Sequence, residues 1–165
     1  MSQALTAAEV EKKVVGGETI AAVFGITDDQ IKSLMAVGLN QYQQGKLDKA
    51  ETLFRGVAAV NSKSYLGFAG LGAVAMAKKP ADLNTALSCL TRAVELQPED
   101  ADLRANLGEV LLRLGKVIEA KPHLEKAFAL DPNRKDAGVN RIRGIVAGLN
   151  VVVQEAVRRQ QAKAS

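Results

Sequence analysis

One feature narrows the possible folds of this chain more than any other. Residues 101 to 134, ADLRANLGEVLLRLGKVIEAKPHLEKAFALDPNR, carry a spacing of small and apolar residues that recurs twice upstream. With Ala101 as position 1, Leu107 and Gly108 stand at 7 and 8, Leu111 at 11, Ala120 at 20, Leu124 at 24, Ala127 at 27 and Pro132 at 32. A period of this length marks a pair of helices that buries its apolar faces only by stacking on neighbouring pairs. Small side chains at Gly108 and Ala120 let the two helices approach closely. Gly115 is placed to supply a left-handed stop between them, and Pro132 to end the second. Pro122 is expected within about the first turn of the second helix, where N–H groups lack intrahelical acceptors.

Counting back from Pro98 gives Ala93, Leu90 and Ala86 at positions 27, 24 and 20 of an earlier copy. Its Gly72 takes position 8 if the turn KKPADLN holds two extra residues, and Phe68, Leu71, Gly72 and Ala75 then form the packing face. The first copy begins at Ile31, with Leu34, Val37, Gly38, Ala50, Phe54 and Val57 in register, Gly45 in the turn and Ser62 in place of the closing proline. The spacing is similar to the 34-residue tetratricopeptide signature, from which the last copy departs where Arg104 replaces an aromatic. The expected fold is therefore an all-α tetratricopeptide solenoid of three helix-turn-helix repeats, 31–64, 65–100 and 101–134. An N-terminal helical segment, 1–30, and a C-terminal amphipathic capping helix with a frayed end, 135–165, flank it. Three repeats are enough to stack into one continuous core.

In the flanks, Thr6 with Glu9 and Thr27 with Gln30 form capping boxes, and Gly16-Gly17 interrupts the periodicity between them. After Asp131 and Pro132, Val139, Ile142, Ile145, Val146, Leu149, Val152, Val153 and Ala156 recur at intervals of three and four. That stripe is expected to close the open end of the solenoid, leaving Arg141, Arg143, Arg158 and Arg159 to water.

Charge and composition remove several function classes. With 47% apolar residues in 165, the chain can bury a core. Its net charge of +4 resolves into −3 over residues 1–30, +2 over 31–133 and +5 over 134–165. The basic excess thus belongs to the C-terminal segment, which has no aromatics interleaved for base stacking, and nucleic acid is not an expected partner. A single Cys and a single His leave no disulfide framework and no zinc ligand set. Cys89 and His123 both fall at repeat position 23 and are read as structural. Gly144 and Gly148 resemble a small-xxx-small packing pair, although glycine in a soluble helix chiefly weakens it. There is no phosphate-binding glycine loop, so the expectation is a protein that is not an enzyme, with no catalytic residue, cofactor or metal. The N-terminus lacks a secretory pattern and no stretch is long enough to span a bilayer, which points to the cytoplasm without stable membrane insertion.

Helix A positions 2, 5, 9 and 12 of such repeats line a concave surface. Here they read Lys32, Met35, Leu39 and Tyr42; Leu66, Ala69, Ala73 and Met76; and Asp102, Ala105, Glu109 and Leu112. Nine of these are apolar, counting Tyr42. An apolar patch of that continuity marks an interaction site. Lys32 alone does not build a carboxylate clamp, so an extended apolar peptide is the expected ligand. Small Ala69, Ala73 and Ala105 leave pockets, and Tyr42 and Met76 form adaptable walls. Permanent filling of the groove by the C-terminal helix or by a neighbouring subunit is the competing expectation.

The stretch GGETIAAVFGITDDQIKSLMAVGLNQYQQGKLDKAETLF resembles the class II chaperones of bacterial type III secretion, which hold the two hydrophobic translocators before export. The matching pieces are Gly16-Gly17 with Thr19-Ile20-Ala21, the run Asn40-Gln41-Tyr42-Gln43 before Gly45-Lys46, Ala50 with Phe54, and Gly70-Leu71-Gly72-Ala73, within residues 16–131. Glu18 interrupts the Gly-Gly-Thr-Ile-Ala run, and the two added residues near Pro80 are a further departure. The resemblance implies a concave face that binds a translocator segment and an N-terminal region that forms a homodimer when no cargo is bound. Val14, Val15, Ile20, Val23 and Phe24 are the dimer contacts it suggests. A scaffold that organises folded partners through its convex or end surfaces, with Arg141 and Arg143 as contacts, is the alternative.

Overall fold

A computed structural model describes residues 5–164. Among these residues every regular element is a helix. The chain divides into two compact units, Met1–Pro98 and Glu99–Ser165.

The first unit opens with α1 (Ala7–Val15) and the short α2 (Ile20–Phe24). Both expected capping boxes form. The Glu9 N–H donates to Thr6 Oγ1 at 3.4 Å while the Thr6 N–H donates to Glu9 Oε2 at 2.7 Å. Gln30 and Thr27 exchange bonds of 3.3 and 2.9 Å at the start of α3 (Asp28–Gln43). The rest of the unit is α4 (Leu47–Val60), α5 (Tyr65–Ala77) and α6 (Leu83–Leu96). Helices α3 and α4 pair, as do α5 and α6, and α5 also packs on α4. Phe54, fully buried, lies between α3 and α5. A Cβ on Gly38 would strike its ring, and one on Gly70 would come within 2.5 Å of its Cγ, so only hydrogen fits at either place. Around it Ala21, Ile31, Met35, Ala50, Val57 and Val74 complete a buried cluster worth about 1.5–3 kcal/mol for each large side chain.

The second unit holds α7 (Ala101–Arg113), α8 (Val117–Leu130) and α9 (Ala137–Ala164), with α9 packed chiefly on α7. Gly108 sits directly under Leu124, as Gly72 sits under Leu90 at 2.7 Å from an added Cβ. In all three repeats, then, position 8 makes room for position 24. Position 20, expected to share that role, is a fully buried alanine each time: Ala50, Ala86 and Ala120.

Two local expectations need correction. Pro122 is the sixth residue of α8, beyond the orphan N–H groups of the first turn. It therefore leaves the carbonyl of Ile118 without its helical donor at an exposed position. The last helix starts at Ala137, within the expected 135–165 and set apart from the end of α8 at Leu130. Between them Asp131 folds the chain back, its carboxylate accepting the N–H groups of Lys135 at 2.8 Å and Asp136 at 3.3 Å. Finally, only Val139 and Ile142 of the α9 stripe are buried; Ile145, Leu149, Val152 and Val153 stay open, and the side chain of Ala156 lies outside the described residues.

Candidate functional site

In the first unit the concave positions of α3 and α5 form a half-open apolar line. Leu39 is exposed, while Tyr42, Leu66, Ala69, Ala73 and Met76 are each partly buried. The Gly-rich sequence of α5 explains its place in the unit. A Cβ on Gly67 would meet the Ala58 backbone nitrogen at 2.5 Å, so α5 lies against α4 at backbone range and turns Ala69, Ala73 and Met76 to the opposite side. At the start of this line a cavity of about 320 Å³ is lined by Asp28, Ile31, Lys32, Asn61, Lys63, Ser64 and Leu66. Lys63 is tied to the Gly17 carbonyl at 2.5 Å, and Lys32 forms an exposed pair with Asp29 at 3.4 Å. Met35 departs from expectation. It is 7% exposed and belongs to the core cluster with Ile31, Ala50, Phe54 and Val57.

The second unit treats the same positions differently. Asp102, Asn106 and Glu109 lie on one face of α7, and all three meet α9. Arg141 donates to both Glu109 and Asn106, the latter at 3.1 Å, and the Asp102 carboxylate sits against Gly138. Ala105 and Glu109, expected to be open, are buried on the face that α9 covers; Leu112 is half-buried. Burial, with the carboxylates of Asp136 and Asp100 nearby, pushes the Asp102 carboxyl up from its ordinary value.

Arg141 keeps about half its side chain open to water, as expected, whereas Arg143 is largely withdrawn from it. Arg143 donates to the Asp131 carboxylate at 3.2 Å and to the carbonyls of Phe128 and Asp131 at 3.0 and 2.7 Å, with its guanidinium 5.0 Å from the centre of the Phe128 ring. Burial alone would raise the Asp131 carboxyl, but the two backbone N–H groups and Arg143 outweigh it and hold the group low. Arg143 thus fastens α9 to the end of α8, a role that its sequence position on a polar face does not reveal. Arg158 and Arg159 are exposed as expected.

Cys89 and His123 are both half-buried. Burial raises the Cys89 thiol and lowers the His123 imidazole, so each favours its neutral form. Among the described residues no group of three or more His, Cys, Asp or Glu is arranged to hold a metal ion. No described helix is long and apolar enough to cross a membrane. The expected dimer residues Val14, Val15, Ile20 and Phe24 are exposed, the last two at 36% and 60%, and Val23 is half-buried.

Comparison with known proteins places these features. A family model described as a tetratricopeptide repeat matches residues 89–121. The chain is 29% identical over 115 residues to the low calcium response locus protein H of Yersinia pestis, covering 70% of this chain and 67% of that protein. Its structure is similar to the type III secretion translocator chaperone SycD of Yersinia enterocolitica, with a TM-score of 0.69, 25% identity, and coverage of 80% of this chain and 98% of that one. It is also similar to PcrH of Pseudomonas aeruginosa solved in complex with the chaperone binding region of PopB, with a TM-score of 0.63, 25% identity, and coverage of 73% and 97%.

Proposed function

We propose that this member of the class II chaperones of type III secretion binds an extended apolar segment of a translocator protein along the concave line of α3 and α5. By doing so it keeps the translocator soluble and competent for export. The observation that carries this reading is the half-open line of Leu39, Tyr42, Leu66, Ala69, Ala73 and Met76, in a fold shared with a chaperone solved on the chaperone binding region of a translocator. Spaced cargo side chains entering it gain about 25 cal/mol per Å² of apolar surface removed from water. The same burial denies the cargo self-association and membrane contact. Ala69 and Ala73 leave the space for those side chains, and Tyr42 and Met76 adjust around them.

The protein works without catalysis and in the cytoplasm, where an unexported translocator has to be held. Its organisation is an N-terminal segment over 1–30, three repeats over 31–134 and a capping helix over 135–165. Without cargo it forms a homodimer in which Val14, Val15, Ile20, Val23 and Phe24 take part. The scaffold alternative loses its main support, because Arg141 and Arg143 are both engaged within the second unit.

Co-expression with a hydrophobic translocator tests the reading. Tyr42→Glu or Ala73→Glu should send the cargo to the insoluble fraction while the chaperone itself stays folded by circular dichroism. Unchanged cargo solubility in both variants refutes the groove.

A further inference from the structure

Helix α9 has an apolar surface that its own unit does not cover. Val139 and Ile142 are fully buried, but Ile145, Leu149, Val152 and Val153 are 40%, 49%, 66% and 60% exposed. The run from Gly144 to Val153 contains one polar residue, Asn150. Exposed β-branched residues are poor helix formers, and a helix segment apolar on most of its circumference is ordinarily buried against something. Ile145, Leu149 and Val152 fall at i, i+4 and i+7, the anchor spacing of a helix laid into a groove.

A second uncovered surface lies in the first unit. The face of α5 that begins at Gly67 is occupied by α4. The counterpart of Gly67 in α3 is Ser33, and there no described helix covers the face. Instead an open pocket of about 620 Å³ is lined by Ile26, Asp29, Gln30, Ser33, Leu34 and Val37. Leu34 and Val37, expected to pack inside the repeat, are 41% and 50% exposed. This surface lacks the helix that a preceding repeat would supply.

We propose that the distal half of α9 of one copy docks in the Ile26–Leu34–Val37 pocket of a second copy. Charge complementarity selects this occupant. Asp29, in the first turn of α3, lines the pocket, and Arg158 and Arg159 follow Val152 by about two turns of α9. The first 30 residues carry −3, while residues 144–165, with three basic residues against one acid, carry +2, so copies meeting end to end attract where like ends repel. Asp29 and Arg159 are otherwise held only in exposed pairs on their own helices, at 3.4 Å to Lys32 and 3.1 Å to Glu155, which exchange at little cost. The contact joins two different surfaces, so it is heterologous and closes only if the exchange is reciprocal. It is a contact separate from the Val14–Phe24 face of the homodimer reading, and it makes no use of the cargo groove.

The test uses the full chain with Cys89→Ser. One preparation carries Val37→Cys and another Val152→Cys, and the two are mixed and oxidised. The expected dominant product joins one chain of each kind. Dominance of a disulfide between two Val152→Cys chains means that α9 pairs with itself and overturns the proposal. So does crosslinking no greater than with an exposed Thr52→Cys control. Because a cysteine pair can be misaligned, light scattering provides a second reading. Arg159→Glu should lower the average mass, Asp29→Lys should do the same, and the chain carrying both changes should regain association. Failure to regain it, with helicity intact, overturns the proposal. Cargo solubility measured on these chains separates the two readings, since it should be retained even where self-association is lost.

Discussion

The concave positions of the two units start from one repeat frame and end as different surfaces. Along α3 and α5, apart from Lys32 and the buried Met35, they are apolar and open or half-open; along α7 they carry Asp102 and Glu109 and are covered by α9. Repeat position 9 shows the contrast most sharply. It is Leu39 in the first repeat, 47% exposed, and Glu109 in the third, 9% exposed and clamped by Arg141. The lesson is that a repeat position specifies a direction on the helix, while the next helix decides whether that direction meets solvent. In the first unit it remains open to a ligand. In the second it has become the seat of a cap.

The largest effect should come from removing what holds the first unit's helices at backbone range. Phe54→Ala should cost about 3–5 kcal/mol, since it empties the space between Gly38 and Gly70, and should abolish cargo capture as a secondary loss. Chemical denaturation measures it. A loss below about 1 kcal/mol would mean that the glycine clasp does not organise α3 and α5.

The two residues at position 9 should then behave oppositely. Glu109→Ala leaves Arg141 with Asn106 and water as partners and should destabilise the second unit by about 1.5–3 kcal/mol, the worth of a charged hydrogen bond, with faster amide exchange in early α9. Leu39→Ala, at an exposed site, should change stability by about 0.5 kcal/mol or less but weaken cargo binding. Equal stability losses in both would erase the distinction between an open line and a capped one.

The smallest effect concerns pH. The Asp102 carboxyl is raised because burial and two neighbouring carboxylates disfavour its charge. A raised acid contributes stability below its unfolded value, about pH 3.9, and that contribution is lost as pH climbs through the higher folded value. Asp102→Asn should accordingly raise the melting temperature at pH 7, and the difference from the parent chain should shrink as the solution is acidified below about pH 4. A difference that does not change with pH would locate the effect in packing instead.

Much of the helix plan was legible from local chemistry. Thr6 and Thr27 declare helix starts through the acceptor or donor three residues on, and Gly45 and Gly115, both at positive φ, declare the turns between paired helices. The groove was legible only in part. Leu39 is exposed and Ala73 partly buried, but Met35 lies within the core cluster and Tyr42 packs against it, and no spacing rule anticipates that. Early α9 was misread for a related reason. Arg143 sits on a polar face, as a residue bound for water would, yet its partner Asp131 lies 12 residues away in sequence.

By itself, the order of residues determined the helices, their pairing and the glycine sites at which pairs touch. Those depend on backbone propensity, capping and side-chain size, which act over a turn or two of chain. Tertiary structure alone decided which apolar faces remain open: the line on α3 and α5, the Leu34–Val37 pocket and the distal half of α9. Exposure is a property of what arrives from elsewhere in the chain, and an apolar residue is the same in sequence whether it awaits a core or a partner.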